Sequence, residues 1–397
     1  MKNDISHYRQ IYQAAQDFLT STGIPGWLVY DYRGANPVFW QVISSSGHVT
    51  RPCYFFLPAS GAPSLLVHHV DAGKFAEAGV ETVVYSSRDS MLESLRSLLS
   101  GVQRVAMEYS PQNELPRVSR VDAGTVELVR SLGVEVVSSA DLMQAATHRW
   151  TPKQLEDHRS TADKLRRIVN EAFGYAGQRL SQAVTEYQVA EFIRKRFAEE
   201  GIESPDGPIV AVNANASDPH YEPSASNNSA IRPGDWLLID LWAKGTAPGS
   251  VYADITWVAY AGDTVPDRHQ EIFDIVTGAR DAALRYLEDA HQQGAAVQGW
   301  QADQVAREFI ASRGYGEYFT HRLGHSIGFE VHSEAVNLDG FETYDTRHII
   351  PGVCFSIEPG IYLPEFGVRS EIDVFMSVNG PFATSPVQHE VVLMGAG

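Results

Sequence analysis

Apolar positions recur at helical spacing over residues 5–22, with Ile11, Ala14, Ala15, Phe18 and Leu19 on one stripe, so the chain opens on an amphipathic helix. The period then shortens. WLVY (27–30) reads as a strand, DYRGANP (31–37) as a turn, and CYFFL and SLLV, separated by PASGAP, as a hairpin with a long loop. ETVVY, a helix near 90–99, RVAM, a helix near 122–131 and VEVV continue the alternation, which predicts an α/β domain over residues 1–150. It carries no phosphate-cradling glycine motif and reads as non-catalytic.

A second domain over residues 151–397 starts at Thr151-Pro152, where a cap residue and a proline at the first helical position open a long polar helix. Thr185 and Gln188 form a capping box for the next helix, which runs through Phe192 and Phe197. The segment WLLIDLWAKGTAPGSVYADITWVAY then holds two apolar strands joined by a Gly/Pro-containing turn, the first closed by Asp240 and the second containing Asp254. Helices follow, then strands again, so the second domain is α+β.

The last strands carry the chemistry. HRLGHSIGFEVH gathers His321, His325 and His332, and PGVCFSIEPGIY places Glu358 at a strand end broken by Pro359-Gly360. In GVRSEIDVFM, Arg369, Glu371 and Asp373 alternate with apolar or small residues and should share one strand face. A charge on a buried sheet face is costly unless it is paired or binds a metal. Two aspartates, two glutamates and a histidine make a hard, oxygen-rich set suited to Mn(II), Co(II) or Zn(II), and four carboxylates would neutralise a pair of divalent ions. Taken singly, each acid could equally cap a strand or pair with an arginine. GHSIG also fits the G-x-S-x-G nucleophile elbow of serine hydrolases, with Ser326 as nucleophile and His389 as base. Against that alternative, GYGEYFTHRL is not the apolar strand an elbow needs, and no HGGG-type segment is present.

The order Asp240, Asp254, His325, Glu358, Glu371 resembles the pita-bread-fold metallopeptidases: methionine aminopeptidase, Xaa-Pro aminopeptidase and prolidase, with creatinase as a relative. LLIDLWA, ADITW, GHSIG with His332 seven residues after His325, FSIEPGIY and GVRSE carry the likeness over roughly residues 150–397. The resemblance implies a pita-bread catalytic domain behind a creatinase-like α/β domain that walls the entrance or supports a homodimer. By the same resemblance, Asp240 binds one metal, His325 and Glu358 bind the other, and Asp254 and Glu371 bridge them. His220, in the turn-rich DPHYEP, and His332 stand where the family places histidines that donate to the substrate carbonyl. Glu358 would take a proton from water and pass it to the leaving nitrogen. His321 is expected either to line the pocket or to support a ligand from behind, and Arg369 to pair with a site carboxylate.

The implied reaction is hydrolysis of an amide, most often the bond before a proline. Two departures bear on the substrate. The family's His-Glu-x-Pro is His332-Ser333-Glu334-Ala335 here, and Tyr344 stands where prolidases carry an arginine that clamps the substrate carboxylate. Arg347 lines up with a different family arginine. A missing clamp favours an Xaa-Pro aminopeptidase over a prolidase, with a creatinase-like hydrolase of a small non-peptide amide as a further alternative. A non-catalytic binding relative is opposed by the complete ligand set.

Charge and cysteine content narrow the setting. The net charge of -18 argues against a nucleic-acid partner, because phosphate binding needs clustered Lys and Arg. Residues 1–150 hold 12 basic and 14 acidic side chains, leaving 19 against 35 for the rest, so the acidity lies with the candidate site. Cys53 and Cys354 lie far apart in apolar surroundings, as buried thiols do. A polar start, MKNDISHYRQ, and the lack of an apolar run near 18 residues predict no secretory signal or membrane span, hence a cytoplasmic protein.

Overall fold

The computed structural model describes residues 5–219 and 221–395. Contacts divide the chain into two compact units, residues 1–149 and 150–397. The first is built on a six-stranded sheet of β1 (Gly26–Asp31), β2 (Cys53–Pro58), β3 (Ser64–His68), β4 (Glu81–Tyr85), β5 (Arg104–Met107) and β6 (Glu135–Ser138), in the order β4-β3-β2-β1-β5-β6. β2 and β3 form the expected antiparallel hairpin, while β1, β5 and β6 run parallel. Helix Ile5–Thr22 buries Ile11, Ala15 and Leu19, and its core cluster includes Trp27, Val29, Phe55 and Leu65 from one sheet face. Leu28, Tyr54, Phe56 and Leu66, one residue out of phase, form the core on the opposite face.

In the second unit, helix Pro152–Gly177 starts at the Thr151–Gln154 capping box and helix Glu186–Glu200 at the Thr185–Gln188 box. A five-stranded sheet follows, with β7 (Ile202–Glu203), β8 (Ile209–Val212), β9 (Trp236–Gly245), β10 (Ala253–Tyr260) and β17 (Val392–Leu393). A four-stranded sheet holds β11 (Ser326–Ile327), β12 (Cys354–Ile357), β15 (Ile372–Ser377) and β16 (Gly380–Ala383), and β13 (Gly360–Tyr362) pairs with β14 (Gly367–Arg369). Between the two strand groups come helices Asp267–Gln292 and Gly299–Ala311.

The side-chain alternation of β9 and β10 decides where the acids go. Leu237, Ile239, Leu241, Ala253, Ile255 and Trp257 pack with Ala162, Leu165 and Ile193 of the first two helices. The opposite face carries Trp236, Leu238 and Val258, in the core with the later pair of helices, and on that face stand Asp240, Asp254 and Thr256. Ile239 is fully buried, and its truncation to alanine would cost about 2–5 kcal/mol.

Two sequence expectations are corrected here. Asp240 does not close its strand, because β9 continues to Gly245 and Asp240 lies in its middle. GVRSEIDVFM is not one strand either. β14 pairs with β13 and β15 with β12, and between them Ser370 N donates to Pro359 O and Glu371 N to Thr256 O as the chain changes partners. Each backbone donor finds an acceptor outside a continuous ladder, which is what permits the break.

Candidate active site

Register brings the two aspartates together. Asp240 pairs directly with Thr256, and Asp254 lies two residues before Thr256 on the same face. Opposite them, the segment 323–326 runs beside 356–358. Ser356 N donates to His325 O at 2.8 Å, Glu358 N to Leu323 O at 2.8 Å, and His325 N to Ser356 Oγ at 2.9 Å. That approach needs glycine at 324, where an added Cβ would sit 2.0 Å from Ser356 O. His325 Nε2 is thereby held 3.3 Å from Glu358 Oε1 and 3.8 Å from Asp254 Oδ2. Its Nδ1 lies 3.3 Å from Ser326 O, which assigns the proton to Nδ1 and leaves Nε2 as the ligand atom.

Asp240, Asp254, His325, Glu358 and Glu371 all line one cavity of about 610 Å³, shared with His321, His332 and Arg369. Ligand atoms of Asp254, His325 and Glu371 lie within 4.8 Å of one another. Arg369 reaches across the cluster: Nη2 donates to Asp240 Oδ2 at 2.5 Å, Nε to Thr256 Oγ1 at 3.0 Å and Nη1 to Tyr362 Oη at 3.0 Å. Thr256 Oγ1 in turn donates to Glu371 Oε2 at 2.7 Å. His321 donates from Nδ1 to Arg322 O at 2.6 Å and accepts from Tyr362 Oη at Nε2, 2.7 Å away. Burial and the Arg369 charge lower its pKa to about 3, so the ring is neutral.

The electrostatics of this cluster are unbalanced. Burial raises the pKa of Asp240, Asp254 and Glu371, and the neighbouring carboxylates push Asp254 and Glu371 further. Glu358 is pushed up to about 7 by burial, against the pull of Arg369. Asp240 Oδ1, Asp254 Oδ1 and Glu371 Oε1 are buried with no hydrogen-bond partner. Such orphaned acceptors, all from acids on one cavity wall, fit divalent ions, which would supply both charge and coordination.

Other sequence expectations meet mixed outcomes. Arg369 does pair with a site carboxylate. His332 lies on the cavity wall with its ring 4.2 Å from that of His325, and is exposed. His220 falls outside the described residues. The serine-hydrolase alternative has no support from geometry: Ser326 Oγ is buried with no hydrogen-bond partner, so no base activates it, and His389 is exposed.

Sequence reading missed Thr256 and Tyr362, and it named Asp373 only as a charge on a shared strand face, without its contacts. Thr256 had a signal, being two residues from Asp254 on the same strand face. Asp373 accepts from Asp254 N at 3.0 Å and lies 3.6 Å from the buried His158, contacts between residues more than a hundred positions apart that no local pattern announces.

Comparison with known proteins gives the chain's relatives. The Xaa-Pro dipeptidase of Lactobacillus delbrueckii subsp. lactis is 37% identical over 215 residues, 52% of this chain and 54% of that protein, so the chain spans about half the length of that relative. The Probable dipeptidase PepE of Mycobacterium bovis is 26% identical over 347 residues, 85% of this chain and 84% of its own. Among solved structures, Dipeptidase PepE from Mycobacterium ulcerans superposes with a TM-score of 0.72 at 25% identity, covering 100% of both chains. Residues 161–377 match the profile of metallopeptidase family M24, and the chain belongs to that family, its pita-bread catalytic domain preceded by an α/β domain.

Proposed function

We propose that this chain hydrolyses the peptide bond before proline in short peptides, using two divalent ions held by Asp240, Asp254, His325, Glu358 and Glu371. The observation that carries this reading is the gathering of four carboxylates and His325 Nε2 on one cavity wall, with three carboxylate oxygens buried and unpartnered. Manganese is the first choice because the donors are hard and rich in oxygen. Divalent ions bound there would polarise the scissile carbonyl and acidify the attacking water.

The chain's own residues do the rest. Asp254 and Glu371, whose ligand atoms lie within 4.8 Å of each other and of His325, would be shared by the two ions, with Asp240 holding one and His325 and Glu358 the other. Ser356 Oγ donates to Glu358 Oε1 at 3.1 Å and holds that carboxylate at the cavity wall, where it can take a proton and return it to the leaving nitrogen. His332 and His220 would donate to the carbonyl oxygen as charge develops on it. Thr256 and Tyr362 fix Arg369, which holds Asp240 in place.

The absent clamp at Tyr344 favours an aminopeptidase, whereas the relatives named above carry the name dipeptidase. We favour dipeptides. Tyr344 does not line the cavity and stacks on Trp300 at 5.0 Å, and Arg347 is committed to Asp345 and Glu334 O. A carboxylate must therefore be met elsewhere. The reading also includes a homodimer and a cytoplasmic setting; among the described residues no helix is long and apolar enough to cross a membrane.

The test is a panel of Xaa-Pro dipeptides, Xaa-Pro-Xaa tripeptides and proline-free peptides, with and without added Mn(II), alongside metal analysis and light scattering for the oligomer. Mn(II)-dependent cleavage confined to Xaa-Pro bonds and strongest on dipeptides is expected. Full activity in chelator-stripped protein, or equal cleavage of proline-free peptides, would refute it.

A further inference from the structure

The cavity wall carries two guanidinium groups, those of Arg369 and Arg322. Arg369 has Nε, Nη1 and Nη2 all committed, to Thr256, Tyr362 and Asp240. Arg322 differs. Its Nη1 donates to Glu342 Oε2 at 3.0 Å, and its backbone N–H to Glu342 Oε1 at 3.0 Å. Yet its Nε is buried with no hydrogen-bond partner. A buried N–H left unsatisfied beside a fixed positive charge costs free energy, and the group that would satisfy both is a planar anion presenting two oxygens. The resting partner, Glu342, also lines the cavity, and its side chain is 40% exposed, so it can give way without burying an unpaired charge.

From this we propose that Arg322 is a specificity-determining residue that takes a substrate carboxylate, with Glu342 as its exchangeable partner when no substrate is bound. The inference rests on the reading of the site as a peptidase of short peptides. Position argues for it as well. Arg322 lies three residues before His325 and lines the same cavity as His321, His325 and Glu358, so a carboxylate held there belongs to a molecule within reach of the reacting centre. Two parts of a peptide carry this chemistry: the terminal carboxylate of a dipeptide, and an acidic side chain on the residue before proline.

Two pairs of substrates separate them: Ala-Pro against Ala-Pro-amide, and Glu-Pro-amide against Gln-Pro-amide. The measurements are kcat and KM on the Mn(II)-loaded full chain, for the parent, Arg322→Gln and Glu342→Gln, with bound metal determined for each. Arg322→Gln should reduce the preference for the charged member of one pair by about tenfold to a hundredfold, chiefly through KM, with metal content retained. A change confined to the first pair assigns the terminal carboxylate; one confined to the second assigns the side chain. Glu342→Gln, which frees the guanidinium, should strengthen the same preference. Unaltered preferences in both pairs in a metal-loaded Arg322→Gln protein would overturn the proposal. A parent that turns over none of the four peptides sinks the Xaa-Pro reading instead. Calorimetric binding of the same peptides, which needs no turnover, then decides for Arg322 by the same ratio, and absence of binding overturns it too.

Discussion

Arg369 Nη2 lies 2.5 Å from Asp240 Oδ2, an ion pair formed inside a wall of carboxylates by residues 129 positions apart. Arg369 is 4% exposed, so its partner loses a countercharge that water cannot replace if the guanidinium is removed. Arg369→Met should destabilise the metal-free protein by about 3–5 kcal/mol, the usual cost of breaking one side of a buried pair. Divalent ions would restore part of the missing charge, so Mn(II) should raise the thermal midpoint of Arg369→Met more than that of the parent. Calorimetric scans with and without Mn(II) test this, and equal shifts would mean that Arg369 is not part of the site's charge balance.

The candidate bridging acids should behave differently from Asp240. Asp254→Ala or Glu371→Ala would take an oxygen from both ions at once, so bound metal should fall from about two ions per chain towards none. Asp240→Ala should mainly empty one position. Elemental analysis after Mn(II) reconstitution and gel filtration distinguishes the cases; an Asp254→Ala protein that binds metal like the parent would break the assignment.

His332 and His325 stand ring to ring at 4.2 Å but are given different work. His332→Ala should keep its metal and lose about 10²–10³ in kcat, with KM little changed, since a donor to the developing oxyanion acts in the transition state. His325→Ala should lose activity through loss of metal, partly recovered by excess Mn(II). Steady-state kinetics with metal content measured on the same samples is the check. A metal-depleted His332→Ala would place that histidine among the ligands.

In the α/β unit, Glu108 is fully buried and accepts from Trp27 Nε1 at 2.7 Å, Asn36 Nδ2 at 2.9 Å and Ser139 Oγ at 3.1 Å. Burial outweighs these donors and raises its pKa from 4.5 to about 7. A carboxyl whose folded pKa lies above its unfolded value stabilises fully below the unfolded value, and that contribution is lost as pH rises through the folded one. Stability of this unit should therefore decline by about 3 kcal/mol from pH 4.5 to above pH 7, on account of Glu108 alone. Glu108→Gln should remove that slope. Hydrogen exchange of β1 amides across the range measures it, and an identical slope in the variant would locate the titration elsewhere.

Sequence alone determined the parts that depend on local pattern. Capping boxes at Thr151 and Thr185, alternation in the β9–β10 segment, and acids set into apolar runs are all properties of neighbouring residues, and they sufficed to mark four candidate acids and two domains' worth of elements, while the choice of His325 among three histidines came from the family resemblance. Only the tertiary structure decided which groups meet. Asp240 opposite Thr256 is a matter of register, and the β14–β15 break, the Arg369–Tyr362–His321 chain and the Asp373 bond to Asp254 N join segments brought close by packing. Arg322 illustrates the division most simply. In sequence it is one more charged residue beside a histidine. Its significance comes from a buried Nε without a partner on the wall of a cavity, and burial is set by the packed chain as a whole, not by the residues on either side.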